Sequence, residues 1–351
     1  MKNLLLFVFA IVLFESSFAQ SNYEAVDRIA ASVKATSIQD LHVRLVEGVA
    51  TNEEKIRSFY YWIATTIRYD TKEAIRSFRS PYKQDPENVL KSGLAVCHGY
   101  SALFKELCDR SGIKCYLVSG FTKVNGRIDE TGHTWNVVFV NDAWQLVDAT
   151  WAAGGVNSQG KFVKQFSEKY FLVPADEFLI DHYPFDPMWQ LKLLPVTWSN
   201  YKRATNLPKE LQNFSFHDTI AAWESKDEVG RLLSSTQRMN AFNPGNKIIQ
   251  QELAFALFES GNSEFEKGID LLALLFPQSK SQQIKASGIQ PGSPEFVQKL
   301  DSISYYFNRA DSYYIKVKLD DANERTVLLN NRKSVKHNLE IINREKSKYK
   351  K

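Results

Sequence analysis

GLAVCHGYSALFKELCDRSG, residues 93–112, sets a cysteine at the mouth of a helix. Small residues around Gly93 precede Cys97. The run after it continues at helical spacing to Arg110 and stops at Gly112, a residue suited to a helix C-terminus. A thiol works as a nucleophile only when ionised, so its neighbourhood decides its role. The first turn of a helix points unpaired N–H groups and a partial positive charge outward, which favours a thiolate and can hold an oxyanion. Cys97 is therefore a candidate nucleophile, set against the bland reading of a small buried thiol.

The base has to come from elsewhere in the chain. His98 is adjacent, but helix neighbours do not face each other. His42, His182, His217 and His337 carry no pattern that ties them to Cys97; His182, in DHYPFDP, reads as a cleft residue or as the anchor of a loop. His133 differs, because it opens a hairpin: HTWNVVFV (133–140) and AWQLVDAT (143–150) flank the turn candidate Asn141–Asp142. Pairing Val140 with Ala143 sets Trp135 opposite Asp148 and His133 opposite Thr150. His133 and Asp148 then become diagonal neighbours on one sheet face, about 7–8 Å apart at the backbone. A one-residue slip would put them on opposite faces. In this register Asp148 can hold the imidazole tautomer and stabilise its cation.

Around this nucleus, NEEKIRSFYYWIATTI (52–67) predicts a helix capped by Asn52, with Ile56, Phe59, Tyr60, Ile63 and Ile67 on its apolar face. Tyr69 and Asp70 are read as packing and capping at its end. SPYKQDPENVLKSG (80–93) reads as a loop. KCYLVSGFTK (114–123) predicts a strand that turns at Asn125–Gly126, and 151–195 predicts loops and short elements around the sheet. Trp135, Trp144 and Trp151 cluster about the hairpin as core packing or cleft walls.

These blocks carry a family resemblance. RSFYYWIATTIRYD (57–70), GLAVCHGYSALFKELCDRSGIKCYLVSG (93–120) and GHTWNVVFVNDAWQLVDATW (132–151) resemble the transglutaminase-like superfamily, in its kyphoscoliosis-peptidase-like and cytokinesis-protein-like branch. YFLVPADEFLIDHYPFDPMWQL (170–191) is similar to the segment just after the domain in that branch. The resemblance covers about residues 40–195. It implies an α+β, papain-like core with a Cys-bearing helix on an antiparallel sheet. It also implies Cys97 as nucleophile, His133 as general base and acid, Asp148 as its orienting partner, and no metal or organic cofactor. The implied chemistry is acyl transfer on protein or peptide amides through a thioester, resolved by water or by an amine, with hydrolysis favoured. Two other readings stand beside it: a non-catalytic binding scaffold on the same fold, and a cell-wall peptide amidase.

The remaining sequence sets bounds. A net charge of +4 and the lack of a basic stripe with interleaved aromatics argue against nucleic acid. One lysine, an apolar run from Leu4 to Phe14 and small residues at Ser17 and Ala19 predict a signal peptide over 1–19 and a secreted or periplasmic product. That run is short of the roughly 20 residues of a membrane span. Three cysteines leave at least one thiol unpaired within a monomer; Cys108 and Cys115 stand as a disulfide or as two buried thiols. The transglutaminase-like domain is expected over 20–195. Residues 196–351 are expected to be helical, with a solvated basic tail and a surface for a protein partner. In that region 216–240 reads as one helix, and 246–276 as two helices joined at Ser260–Ser263.

Overall fold

A computed structural model describes residues 23–76, 84–203, 214–276, 289–319 and 322–349. The expected signal segment lies outside them. The chain divides into two compact units, the first drawn mainly from residues up to 214 and the second mainly from Ser215 onward.

The first unit is built on the helix Asn52–Thr66. Its N-cap is Thr51 rather than Asn52: the Thr51 hydroxyl accepts from the Glu54 amide, and the Glu54 carboxylate accepts from the Thr51 amide. This reciprocal pair satisfies two of the orphan donors at the helix start. Ile56, Phe59, Tyr60, Ile63 and Ile67 are all fully buried. Arg57 on the same helix is also buried. It chelates Asp27 at 2.6 and 2.7 Å and pairs with Glu168, with its guanidinium 5.0–5.9 Å from the Tyr23, Tyr60, Tyr61, Phe166 and Phe171 rings.

After this helix the chain forms strand β1 (Arg68–Tyr69), which runs parallel to β2 (Leu94–Ala95). Tyr69 and Asp70 thus lie beyond the helix end; Asp70 accepts from the Lys72 and Glu73 amides and caps the next helix. The stretch read as a loop contains the helix Pro86–Ser92. Asp85 caps it, Pro86 fills the first turn where its missing N–H costs nothing, and Gly93 closes it at φ 65°. Turn-forming residues here serve as the two ends of a short helix. β2 then delivers the chain into the helix Cys97–Arg110, which ends before Gly112 at φ 69°.

The sheet comprises β3 (Cys115–Val124), β4 (Arg127–Val140) and β5 (Ala143–Val147). A small hairpin, β6 (Gly154–Val156) and β7 (Phe162–Lys164), lies apart from it, and β8 (His182–Pro184) completes it in the antiparallel order β5-β4-β3-β8. Both main turns use left-handed residues: Asn125–Gly126 and Asn141–Asp142 all have φ between 50° and 74°. Gly120 on β3 pairs with His133 on one side and Pro184 on the other. A Cβ there would collide with the Tyr183 carbonyl and the Trp135 ring, so only glycine lets the flanking strands close in at this level.

Among the described residues of the second unit the helices are Phe216–Glu224, Glu228–Phe242, Lys247–Leu275, Pro294–Tyr314 and Ala322–Ser347. The single helix expected over 216–240 is two, because Asp227 caps a fresh start by accepting from the Gly230 amide. The pair expected over 246–276 is one continuous helix. Gly261, at the expected joint, is buried against the Tyr314 ring, and Gly268, two turns further along the same face, meets Phe307. These glycines permit close helix packing; they do not break the helix. Leu300, Ile303, Phe307, Ala310, Val335 and Ile342 fill the core. Among the described residues no helix is long and apolar enough to cross a membrane.

Candidate active site

Cys97 is the first residue of its helix, and the N-cap is Val96, whose side chain cannot cap. The Val96 amide is held by the buried Gln84 carboxamide at 3.0 Å, which fixes the backbone just ahead of the nucleophile position. Gly99 is required there, since a Cβ would run into Gln84. Further along the helix, the Ser101 hydroxyl donates to the Thr134 carbonyl, and the Asn136 amide donates to the Ser101 carbonyl, both at 3.0 Å. Two bonds between buried groups thus lock the Cys97 helix to the strand that carries His133.

The hairpin register is the one read from its turn: Val140 pairs with Ala143, and the ladder runs to Asn136–Val147. It differs in where the second strand ends. β5 stops at Val147, and Asp148 is the N-cap of the helix Ala149–Ala153. Its Oδ1 accepts from the Thr150 and Trp151 amides at 2.8 and 3.1 Å. The capping turn swings the other oxygen toward His133, and Oδ2 lies 2.7 Å from His133 Nε2. Cys97 and His133 act on each other through hydrogen bonding and charge, each favouring the charged form of the other.

The electrostatics follow from this chain. Burial pushes the Cys97 thiol up. The hydrogen bond and charge of His133, with a further bond from the Thr134 backbone, outweigh it, and the net shift is downward. Burial likewise opposes a charge on His133, but Asp148 and then Cys97 reverse this and raise its pKa from 6.5 to about 10. Asp148 is completely buried, which disfavours its charge. His133 and His182 overcome that and hold it well below the usual carboxylate range. The three shifts run in the directions that favour charge on each group, a lowered thiol, a raised imidazole and a lowered carboxyl.

His182 is at the site rather than in a distant loop. From β8 its Nε2 reaches Asp148 Oδ2 at 3.1 Å. Its place came from tertiary strand order, which local sequence does not encode. Trp135 and Trp151 pack on both His133 and His182, whereas Trp144 packs on Tyr116, Phe139 and Trp189. Burial pushes the His98 pKa down, and His42 pairs with Ser111. Cys108 and Cys115 are free, buried thiols, and burial, with the neighbouring Cys115, pushes the Cys108 thiol well up. His133, Asp148 and His182 bring ligand atoms within 4.8 Å of one another. Both Nε2 atoms converge on Oδ2 itself instead of on a common point between the three groups, which is the geometry of hydrogen bonds.

Comparison with known proteins places this geometry. A family model described as the transglutaminase-like superfamily matches residues 39–149. Kyphoscoliosis peptidase of Homo sapiens is 31% identical over 199 residues, covering 54% of this chain and 30% of that protein. Hillarin of Drosophila melanogaster is 28% identical over 207 residues, covering 53% and 24%. Cytokinesis protein 3 of Saccharomyces cerevisiae is 26% identical over 196 residues, covering 50% and 22%. The matched region spans less than a third of each of these relatives. Residues 39–149 form a transglutaminase-like domain, and this part of the chain is similar to kyphoscoliosis peptidase, hillarin and cytokinesis protein 3.

Proposed function

We propose that this domain, extending over residues 20–195, is a thiol acyl-transfer enzyme acting on protein or peptide amide bonds, with Cys97, His133 and Asp148 as its triad. The observation that carries the reading is His133, held at 2.7 Å by the fully buried Asp148 and coupled to Cys97 by hydrogen bonding and charge that pull the thiol pKa down. In this mechanism the Cys97 thiolate attacks the amide carbonyl, forming a C–S bond and moving an electron pair onto oxygen. The N–H groups at the start of the Cys97 helix face the developing oxyanion. Collapse breaks the C–N bond, His133 gives its proton to the leaving amine, and a thioester remains. Water, deprotonated by His133, then attacks the thioester, releasing a carboxylic acid and restoring the thiolate–imidazolium pair. An amine in place of water would give transfer; hydrolysis is the favoured outcome. The apolar run at Leu4–Phe14 supports an exported enzyme, and the helices beyond 196 are proposed to engage a protein partner.

The test is the pH dependence of Cys97 alkylation by iodoacetamide, read on the Cys97 peptide by mass, in the wild type and in His133→Ala. The reading expects a rate that rises well below the roughly 8.5 of a free thiol and that loses this early rise in His133→Ala. A Cys97 that reacts as a free thiol in both proteins refutes the triad and favours the binding-scaffold reading. Incubation with a protein mixture and a fluorescent primary amine then separates the acceptors: new peptide termini mean hydrolysis, and a labelled protein means transfer.

A further inference from the structure

Asp148 Oδ2 receives two imidazole donors, and the triad accounts for only one of them. The second, His182, is wholly buried. Its Nε2 lies 3.1 Å from Asp148 Oδ2, and its Nδ1 lies 2.6 Å from Asp181 Oδ1. Both nitrogens thus face carboxylate oxygens, which only accept when ionised, so the ring that satisfies both is the doubly protonated one. Asp181 is itself bonded at 2.6 Å to Lys169, which is 62% exposed. The result is a row of hydrogen-bonded groups running inward from solvent, Lys169, Asp181, His182, Asp148 and His133, with Cys97 coupled to His133 at its inner end. The His182 ring is held in place by Phe178, stacked at 4.1 Å, and by Trp151, Trp135 and Tyr170 at 4.5–5.8 Å.

We propose that His182 is a positioning residue of the reaction, a second cationic donor that keeps Asp148 ionised and oriented while His133 is without its proton. This rests on the triad reading above. When His133 protonates the leaving amine it becomes neutral, and Asp148 would be left as a lone charge in a dry site, at high cost. His182 remains as counter-charge at that moment. It also shares the carboxylate, so it restrains the basicity of His133 and makes its proton easier to release. Among the described residues the row is also flanked by the Tyr60, Tyr69, Tyr100 and Tyr170 phenols, on which the charged groups of Arg57, Glu168 and Asp129 act. All four phenols are raised, chiefly by burial, and stay neutral through the working range.

Removing a positive charge raises every nearby pKa. The alkylation profile of Cys97 has two limbs, the thiol and then His133, and both should move upward when His182 loses its charge. His182→Phe keeps a ring in the aromatic cage and removes both donors. His182→Gln keeps one donor toward Asp148 and removes the charge. The full-length protein is treated with iodoacetamide across the pH range, with thermal unfolding measured in parallel. Both variants are expected to shift the thiol limb up by as much as about one unit, a roughly tenfold loss of thiolate below it, with the alkaline plateau unchanged. A packing role predicts a lower unfolding temperature with unmoved limbs, and a neutral-donor role predicts a wild-type profile for His182→Gln; either result overturns the proposal. If His182→Phe fails to fold, His182→Gln alone decides. His133→Ala separates the two levels of inference. If it leaves the profile unchanged, the triad itself fails. If it abolishes the early limb while the His182 variants match wild type, only the present inference fails.

Discussion

Asp148→Asn gives the sharpest test of how the site is wired. The carboxylate accepts four hydrogen bonds, two on each oxygen, in complete burial. Asparagine can keep its carbonyl oxygen on the Thr150 and Trp151 amides, since Asn caps a helix about as well as Asp. Its NH₂ group then faces His133 Nε2 and His182 Nε2, where an acceptor stood. His133 must turn its lone pair to Nε2 and carry its proton on the nitrogen facing Cys97, a tautomer that cannot take the thiol proton. Hydrogen bonds to charged groups contribute about 1.5–3 kcal/mol each, so losing the one to the imidazolium corresponds to roughly one to two pKa units. Alkylation of Cys97 near neutral pH should therefore fall about ten- to a hundredfold, with the rate at high alkalinity preserved. Far-ultraviolet circular dichroism should show the helix content intact. An Asp148→Asn protein with the wild-type alkylation profile would falsify the coupling from Asp148 to Cys97. One that loses its helix content as well would show that the cap, and not the tautomer, carries the effect.

Three further outcomes rest on particular contacts. His133 is raised from 6.5 to about 10, so its stabilising contribution is complete below 6.5 and is lost as pH climbs through about 10. Asp148 is depressed from 3.8, so its contribution is complete above 3.8 and is lost as pH falls through its folded value. Urea midpoints should accordingly drop at both extremes, and His133→Ala should flatten the alkaline drop. Gly261→Ala should destabilise the protein in urea even though alanine is the better helix former by about 0.8–1.0 kcal/mol. The new methyl meets a Tyr314 ring pinned by its bond to Asn262, and overpacking costs about 1–3 kcal/mol. A stabilised Gly261→Ala would show that this packing is loose. Arg57→Met should cost stability toward the lower end of the roughly 3–5 kcal/mol of a broken buried pair, because one deserted partner, Glu168, is 61% exposed and can rehydrate. An unchanged urea midpoint would mean that the aromatic cage around Arg57 needs no cation.

The parts of this fold that sequence carried are those set by local chemistry. Asn141–Asp142 demanded a left-handed two-residue turn, and that turn alone fixed the register from Val140–Ala143 to Asn136–Val147. Gly112 closed the Cys97 helix at the residue expected. Local chemistry misleads where a residue type has two uses. Pro86 and Gly93 are loop formers by type and here bound a helix, and Gly261, a joint by type, seats Tyr314. His182 reaches Asp148 only because β8 adds beside β3, on the far side from β4, a placement made by strand order and by the bare backbone of Gly120. No spacing within the chain encodes such a neighbour.

The end of β5 shows why the site could be nearly read and yet not drawn. Had the strand continued through Thr150, as its composition suggests, Asp148 would have stood opposite Trp135, two residues nearer the turn than His133, with its carboxylate perpendicular to the sheet. Its side chain captures the Thr150 and Trp151 amides instead, and the strand stops. The act that ends the strand also aims the second oxygen at His133 and leaves room for His182 on that same atom. One carboxylate therefore caps a helix with one oxygen and, with the other, holds the imidazole proposed as the base. Because the cap is made of backbone amides, the oxygen that faces the imidazoles cannot rotate away without unwinding the turn. The orientation of the proposed base is thus tied to local secondary structure rather than to a flexible side chain, and the order of helix Ala149–Ala153 and the ionisation of Cys97 should rise and fall together.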